Sequence, residues 1–176
     1  MKDALIQYAE IDIDKMSIQE LTNLCRTFAP DLEGEQTKGV MMELLFEELV
    51  EDKLTGPVFI IDYPIESTPL CKQKRGGDPG IIERFEGFVA GMEICNGYSE
   101  LNDPIDQRAR FERQCAAPRE PDEEPPQLDE DFIQALEYGM PPAAGEGIGI
   151  DRLVMLFCNA ASIRDVILFP LLKPER

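Results

Sequence analysis

The chain has 176 residues, 43% of them apolar and 30% charged, with a formal net charge of −18. That length and composition suit one cored domain, or one domain with a small appendage, and exclude a chain disordered throughout or built around membrane spans. The charge excludes strong unaided binding to nucleic acid, because such binding draws on Lys and Arg neutralising phosphates.

Histidine is absent. This removes Ser-His-Asp and Cys-His nucleophilic chemistry and the commonest metal ligand, so any metal must be a hard cation held by carboxylates. Cys25, Cys71, Cys95, Cys115 and Cys158 show no C-x-x-C spacing, which argues against zinc, and their odd number argues against a full disulfide framework. The N-terminal residues lack the pattern of a signal peptide, and a cytoplasmic location is the expectation.

Residues 1–55 read as a small helical unit. Ser17-Ile18-Gln19-Glu20 is a capping-box pattern, followed by Leu21, Leu24 and Cys25 at helical spacing. A second helix is predicted over 37–50, capped by Thr37, with Met41, Leu44, Leu45 and Leu49 as its apolar stripe and Glu residues opposite. From residue 56 the character changes. Residues 57–63 predict a buried strand, ended by Pro64, and 65–80 a loop with a Gly76-Gly77-Asp78-Pro79-Gly80 cluster. A β-hairpin is predicted over 81–101, turning at Ala90-Gly91-Met92. Asp103 caps a charged helix to about Gln114, residues 117–130 form a Pro- and acid-rich solvated linker, and 129–138 form a helix stopped by Gly139. A glycine-rich strand over 145–150, a helix over 151–157 and the segment 163–170 close the chain.

Three groups of residues carry candidate chemistry. In a strand alternate side chains share a face, so Asn96, Tyr98 and Glu100 point the same way. An amide, an aromatic wall and a carboxylate suit a small cationic ligand, although the spacing alone fits a solvated polar face at least as well. Glu86 and Glu93, on opposite hairpin arms, could share Mg²⁺ whose remaining ligands are water and nucleotide phosphates, or be two exposed glutamates at a hairpin tip. Strict alternation puts Glu93 on the face opposite Asn96, so a bulge, at Gly97 or the turn, has to bring it round. In Gly145-x-Gly147-x-Gly149 followed by Asp151-Arg152, bare glycine backbone can receive a ligand and Arg152 can stack on a purine or pair with phosphate; tight strand-to-helix packing explains the glycines equally well. The spacing is neither Rossmann nor Walker.

The run Gly145-Glu146-Gly147-Ile148-Gly149-Ile150-Asp151-Arg152-Leu153, continued by 162–170, closely resembles motif 3 of class II aminoacyl-tRNA synthetases. Gly91-Met92-Glu93-Ile94-Cys95-Asn96-Gly97-Tyr98-Ser99-Glu100-Leu101-Asn102-Asp103 resembles the lysyl branch, as do 62–70 and 135–142. The resemblance covers nearly the whole chain, with 1–55 similar to the helical insertion after motif 2 and 56–176 to the C-terminal half of the catalytic domain. It implies an α+β fold, an antiparallel sheet flanked by helices, and a lysine–tRNA ligase that forms lysyl-adenylate from lysine and ATP and passes lysine to tRNA-Lys. It further implies that Asn96, Tyr98, Glu100 and Gly147 contact lysine, that Glu93, Asn96, Gly149 and Arg152 contact ATP, and that Glu86 and Glu93 hold Mg²⁺. Arg152 is the implied catalytic residue.

Nothing in the chain matches motif 1, motif 2 or the anticodon-binding barrel, so the resemblance implies a partial active site, inactive in isolation, of an enzyme that is a homodimer at full length. Strand edges otherwise covered by those parts predict self-association. Two other readings are a non-catalytic relative that binds amino acids or partners, and a paralogue that modifies an elongation factor. The intact motif 3 and the Ile-Arg-Asp-Val-Ile-Leu-Phe-Pro ending rank the paralogue lower.

Overall fold

The computed structural model describes residues 1–30, 32, 36–116 and 127–171. Helices α1 (Lys2–Ala9), α2 (Ile18–Cys25) and α3 (Lys38–Leu49) come first. The capping box forms: Ser17 Oγ accepts from the Glu20 amide at 3.3 Å, and the Glu20 carboxylate accepts from the Ser17 amide at 2.8 Å. Thr37 caps α3 through the Val40 amide. The buried face of α3 is Met41, Met42, Leu45 and Phe46, with Leu44 and Leu49 only partly buried, so the helix is rotated from the predicted stripe. The rotation brings Phe46 edge-on to Tyr63 and Phe88, with ring centroids 6.5 and 5.8 Å apart.

Four antiparallel strands follow in spatial order: β1 (Val58–Pro64), β2 (Ile81–Val89), β3 (Met92–Ser99) and β4 (Ala144–Ile148). The turn between β2 and β3 is Ala90-Gly91, both at positive φ (54° and 72°), as a two-residue hairpin turn requires. Its amides donate to Thr55 and Leu54 carbonyls, which pins the tip to the chain entering the sheet. One sheet face presents Ile60, Tyr63, Ile82 and Phe88 to the helices, and these join Leu5, Leu21, Met41, Leu45 and Phe46 in a single core. The other face leaves Phe59 66% and Ile61 55% exposed, with Phe59 packed edge-on against Phe85.

The predicted loop over 65–80 contains an extended strap. The hairpin arms pair directly only as far as Arg84 and Tyr98. Beyond them, residues 70–74 run between the arms: Lys72 donates to Ser99 and Leu101 to Leu70, while Glu83 donates to Lys72 and Lys74 to Ile81, all at 2.8–2.9 Å. Helix α4 (Pro104–Ala116) clamps this strap, since buried Arg110 donates to the Cys71 carbonyl at 2.7 Å and Gln107 to that of Pro69 at 3.1 Å. Asp103 caps α4 and Asp129 caps α5 (Glu130–Glu137). Most of the predicted acidic linker, 117–126, lies outside the described residues.

Helix α6 (Ile150–Cys158) starts directly after β4, and Asn159 ends it in a left-handed conformation. A short helical turn, Ile163–Asp165, follows. The architecture is α+β, an antiparallel sheet flanked by helices. No helix among the described residues is long and apolar enough to cross a membrane.

Candidate active site

Cross-strand pairing lays the site out in rows. Asn96 of β3 sits opposite Glu86 of β2 and Gly147 of β4. One pleat further, Tyr98 sits opposite Arg84 and Gly145. Because alternate residues share a face, Glu86, Arg84, Asn96 and Tyr98 all stand on the side that α3 covers. The glycines of β4 leave bare backbone next to them. A Cβ on Gly145 would lie 2.5 Å from Glu100 Oε1, so the Glu100 carboxylate occupies the space over this glycine.

Glu93 does reach the Asn96 face, but the bulge is neither at Gly97 nor at the turn. Gly87 pairs with Cys95 and Phe88 with Glu93, which leaves Ile94 unmatched on β3. This extra residue rotates Glu93 to the Asn96 side. Asn96 Nδ2 donates to Glu93 Oε1 at 3.0 Å, and Arg152 Nη1 donates to the Glu93 carbonyl at 2.7 Å and to its Oε2 at 3.3 Å. The same bulge frees the Ile94 carbonyl to accept from the Gly149 amide at 2.8 Å, which docks the start of α6. Gly149 therefore leads the helix rather than continuing β4. Between β3, β4 and α6 lies a cavity of about 340 Å³ lined by Glu93, Asn96, Gly147, Gly149 and Arg152 among others.

The structure thus gathers Glu86, Glu93, Asn96, Gly147, Gly149 and Arg152 around one end of the sheet face. Tyr98 and Glu100 continue along the same face toward the strap, where Glu100 pairs with Cys71 in a single bridge. Three residues that the sequence reading passed over belong here. Tyr63 Oη donates to Glu86 Oε2 at 2.6 Å, Arg84 donates to Glu86 Oε1, and Glu43 of α3 stands 3.9 Å from Arg84. Arg84 was legible, since a residue two before Glu86 on a strand shares its face. Tyr63 was not, because its phase depends on an irregularity at Asp62, whose φ is +62°.

Acidic groups crowd around Glu86. Burial pushes the Glu86 carboxyl up, and the nearby charges of Glu93 and Glu43 add to this, while Tyr63 and Arg84 pull it down. Burial also raises Glu43 and Glu47 of α3. Glu51 is pushed up to about 7, by burial first and then by Glu47, Glu86, Glu93 and Asp52. Among the described residues no three or more acidic or sulfur groups converge as a closed metal cage. Glu93 lines the open cavity, and Glu86, opposite Asn96, stands behind it with its two oxygens held by Tyr63 and Arg84. Two such hard carboxylates fit Mg²⁺, which takes one or two protein oxygens and completes its shell with water and phosphate, once an oxygen of Glu86 is released.

Glu51 makes this strain measurable. Its folded carboxyl titrates near 7 against an ordinary 4.5, so ionising it costs stability as pH rises through that window, and the cost is complete above 7. Because the group is partly solvated, Glu51→Gln is expected to stabilise the fold at pH 8 by only about 1 kcal/mol. The gain should vanish near pH 4. Urea midpoints at the two pH values check this, and an equal shift at both would refute it.

Gly97 tests the close approach of β3 and β4. A Cβ there would lie 2.8 Å from the Gly145 carbonyl and 2.8 Å from the Phe85 ring. Backbone cannot give way as a side chain does, so Gly97→Ala is expected to lower stability by about 1–3 kcal/mol, the usual cost of overpacking. Chemical denaturation measures it, and an unchanged midpoint would show that the strands have slack.

A family model described as tRNA synthetases class II (D, K and N) matches residues 3–173. The Lysine--tRNA ligase of Clostridium perfringens (strain 13 / Type A) is 50% identical over 180 residues, covering 100% of this chain and 36% of the relative. That of Chlamydia pneumoniae is 49% identical over 177 residues, 98% of this chain and 34% of the relative. That of Pelotomaculum thermopropionicum is 57% identical over 145 residues, 82% of this chain and 28% of the relative. The chain spans about a third of the length of the curated relatives it matches. With a matched stretch that takes in every strand and the Glu93–Arg152 cavity, this chain belongs to the class II tRNA synthetases of the D, K and N group.

Proposed function

We propose that the chain supplies the lysine pocket and part of the ATP site of a lysine–tRNA ligase. The observation that carries this reading is the row Glu86–Asn96–Gly147, flanked by the Glu93–Arg152 pair at one end and by Glu100 over Gly145 at the other. Glu100 pairs with the side-chain ammonium of lysine, Tyr98 packs along its methylene stem, and Asn96 and the bare backbone at Gly147 fix the polar head. Gly149 and Arg152 receive ATP, with the guanidinium stacking on adenine or contacting phosphate. Glu86 and Glu93 would hold Mg²⁺, which when bound neutralises the phosphates.

In this reading the lysine carboxylate attacks the α-phosphate of ATP, pyrophosphate leaves, and lysyl-adenylate then acylates the 3′ end of tRNA-Lys. No covalent bond to the protein is needed. The chain's residues work by positioning and by charge complementarity. Residues 1–55 act as an insertion on the catalytic half, 56–176. The tRNA is gripped by other parts of a homodimeric, cytoplasmic enzyme, consistent with the −18 charge of this chain.

The test is a chimera in which the chain replaces the matching segment of the C. perfringens relative. Lysine-dependent ATP–pyrophosphate exchange is expected, with none driven by aspartate or asparagine, and the chain alone is expected to give none. A folded chimera that ignores lysine would overturn the assignment.

A further inference from the structure

Glu86 has no free oxygen in this structure. Tyr63 holds Oε2 at 2.6 Å and Arg84 holds Oε1. The Arg84 guanidinium lies 4.7 Å over the Tyr63 ring, and its side chain is only 17% exposed. A second carboxylate, Glu43 of α3, waits 3.9 Å from its Nη1, too far for a hydrogen bond and close enough for attraction. Arg84 is thus a half-buried cation between one tight and one loose acidic partner. A divalent cation at Glu86 and a guanidinium on the same carboxylate would repel each other across a few ångströms of poorly solvated space.

We propose that Arg84 is a displaceable counter-ion for Glu86: it neutralises this carboxylate when no cation is bound, and a divalent cation at Glu86 hands the guanidinium over to Glu43. The inference rests on the reading of Glu86 as a metal ligand given above. Three features support the handover. The guanidinium carries five donors in a rigid fork, so it can change partner while staying on the Tyr63 ring. Tyr63 keeps Oε2 oriented throughout, so only one oxygen changes hands. Glu43 is partly buried and carries a raised pKa, the condition of a carboxylate that gains from a closer cation. Arg152 differs. Its shortest bond is to the Glu93 carbonyl at 2.7 Å and its side chain is 47% exposed, so it is anchored to backbone, and among the described residues it ion-pairs with Glu93 alone.

The experiment titrates Mn²⁺ into the chain, with free ion read by electron paramagnetic resonance. Glu86→Gln is expected to remove the site. Arg84→Gln is expected to tighten Mn²⁺ binding about fivefold, because the competitor is gone, and Glu43→Gln to weaken it by a similar factor, because the handover is lost. Glu47→Gln, which removes the same charge one helical turn on, should weaken it less than Glu43→Gln. Weaker binding in a folded Arg84→Gln, or equal effects of Glu43→Gln and Glu47→Gln, would overturn the handover while leaving Glu86 as a ligand. Unchanged binding in Glu86→Gln would instead overturn the ligand reading and this inference with it. Should Arg84→Gln not fold by circular dichroism, Arg84→Lys takes its place: a lysine has no rigid fork to pass between two acids, so the gap between Glu43→Gln and Glu47→Gln should shrink in that background, and an unchanged gap would overturn the handover.

Discussion

Glu100→Gln in the chimera is expected to raise the KM for lysine about 100- to 1,000-fold. The carboxylate lies over Gly145 and is partly buried, so an ammonium brought to it loses water and gains one charge-assisted partner in return. The amide keeps the shape and removes the charge. Truncating one side of such a pair costs about 3–4 kcal/mol, and each 1.4 kcal/mol is a factor of ten. The loss should fall on KM more than on kcat, because the side-chain ammonium is remote from the reacting carboxylate and is bound equally in ground and transition states. Steady-state exchange at varied lysine checks this. An unchanged KM would remove Glu100 from the lysine pocket and leave it as part of the strap's packing.

Phe46→Ala should be the most damaging single truncation in the core, at about 3–5 kcal/mol. Phe46 is 1% exposed and touches Tyr63 of β1 and Phe88 of β2 edge-on, so it is the keystone between α3 and the sheet. A domain of this size has about 5–15 kcal/mol in hand, so the variant would lose roughly a fifth or more of it. Because α1 to α3 share one core with β1 and β2, the loss should appear as one shifted urea transition. A separate early transition of the helices, with the sheet melting at its old midpoint, would show that the two parts are energetically independent.

The local chemistry was legible where one side chain does one job. Ser17 with Glu20, Thr37 and Asp103 were readable as caps, because a short acceptor ahead of a helical run has few other uses, whereas Asp129, read as the first helical residue, proves to be the cap of α5. The hairpin was readable from its two arms and the Ala90-Gly91 turn. What failed were questions of phase. Alternation put Glu93 on the wrong face, since no glycine or proline marks the bulge at Ile94. The rotation of α3 was missed because Leu44 and Met42 are equally apolar, and it is the contact of Phe46 with Tyr63 and Phe88 that turns the helix so that Met42 is buried with it. The strap at 70–74 was hidden because five residues between Pro69 and the Gly76-Gly77 cluster show no strand-length alternation. For the site itself, spacing favoured a plain polar face for Asn96, Tyr98 and Glu100. Their grouping with motif 3 came from the family resemblance.

The strap also sets an order of events in folding. A hairpin with a two-residue turn zips from its tip within about 1–10 μs. Here zipping has to stop at Arg84 and Tyr98, because the next rungs belong to residues 70–74 on both sides. A chain that zips past that point has formed contacts that must be undone before the strap can enter. Glu100, which bridges to Cys71 of the strap, therefore settles late, after most of the sheet. During refolding, strand signal should return before the amides of Lys72, Glu83 and Leu101 become protected from exchange. The corner that carries Glu100 is completed last.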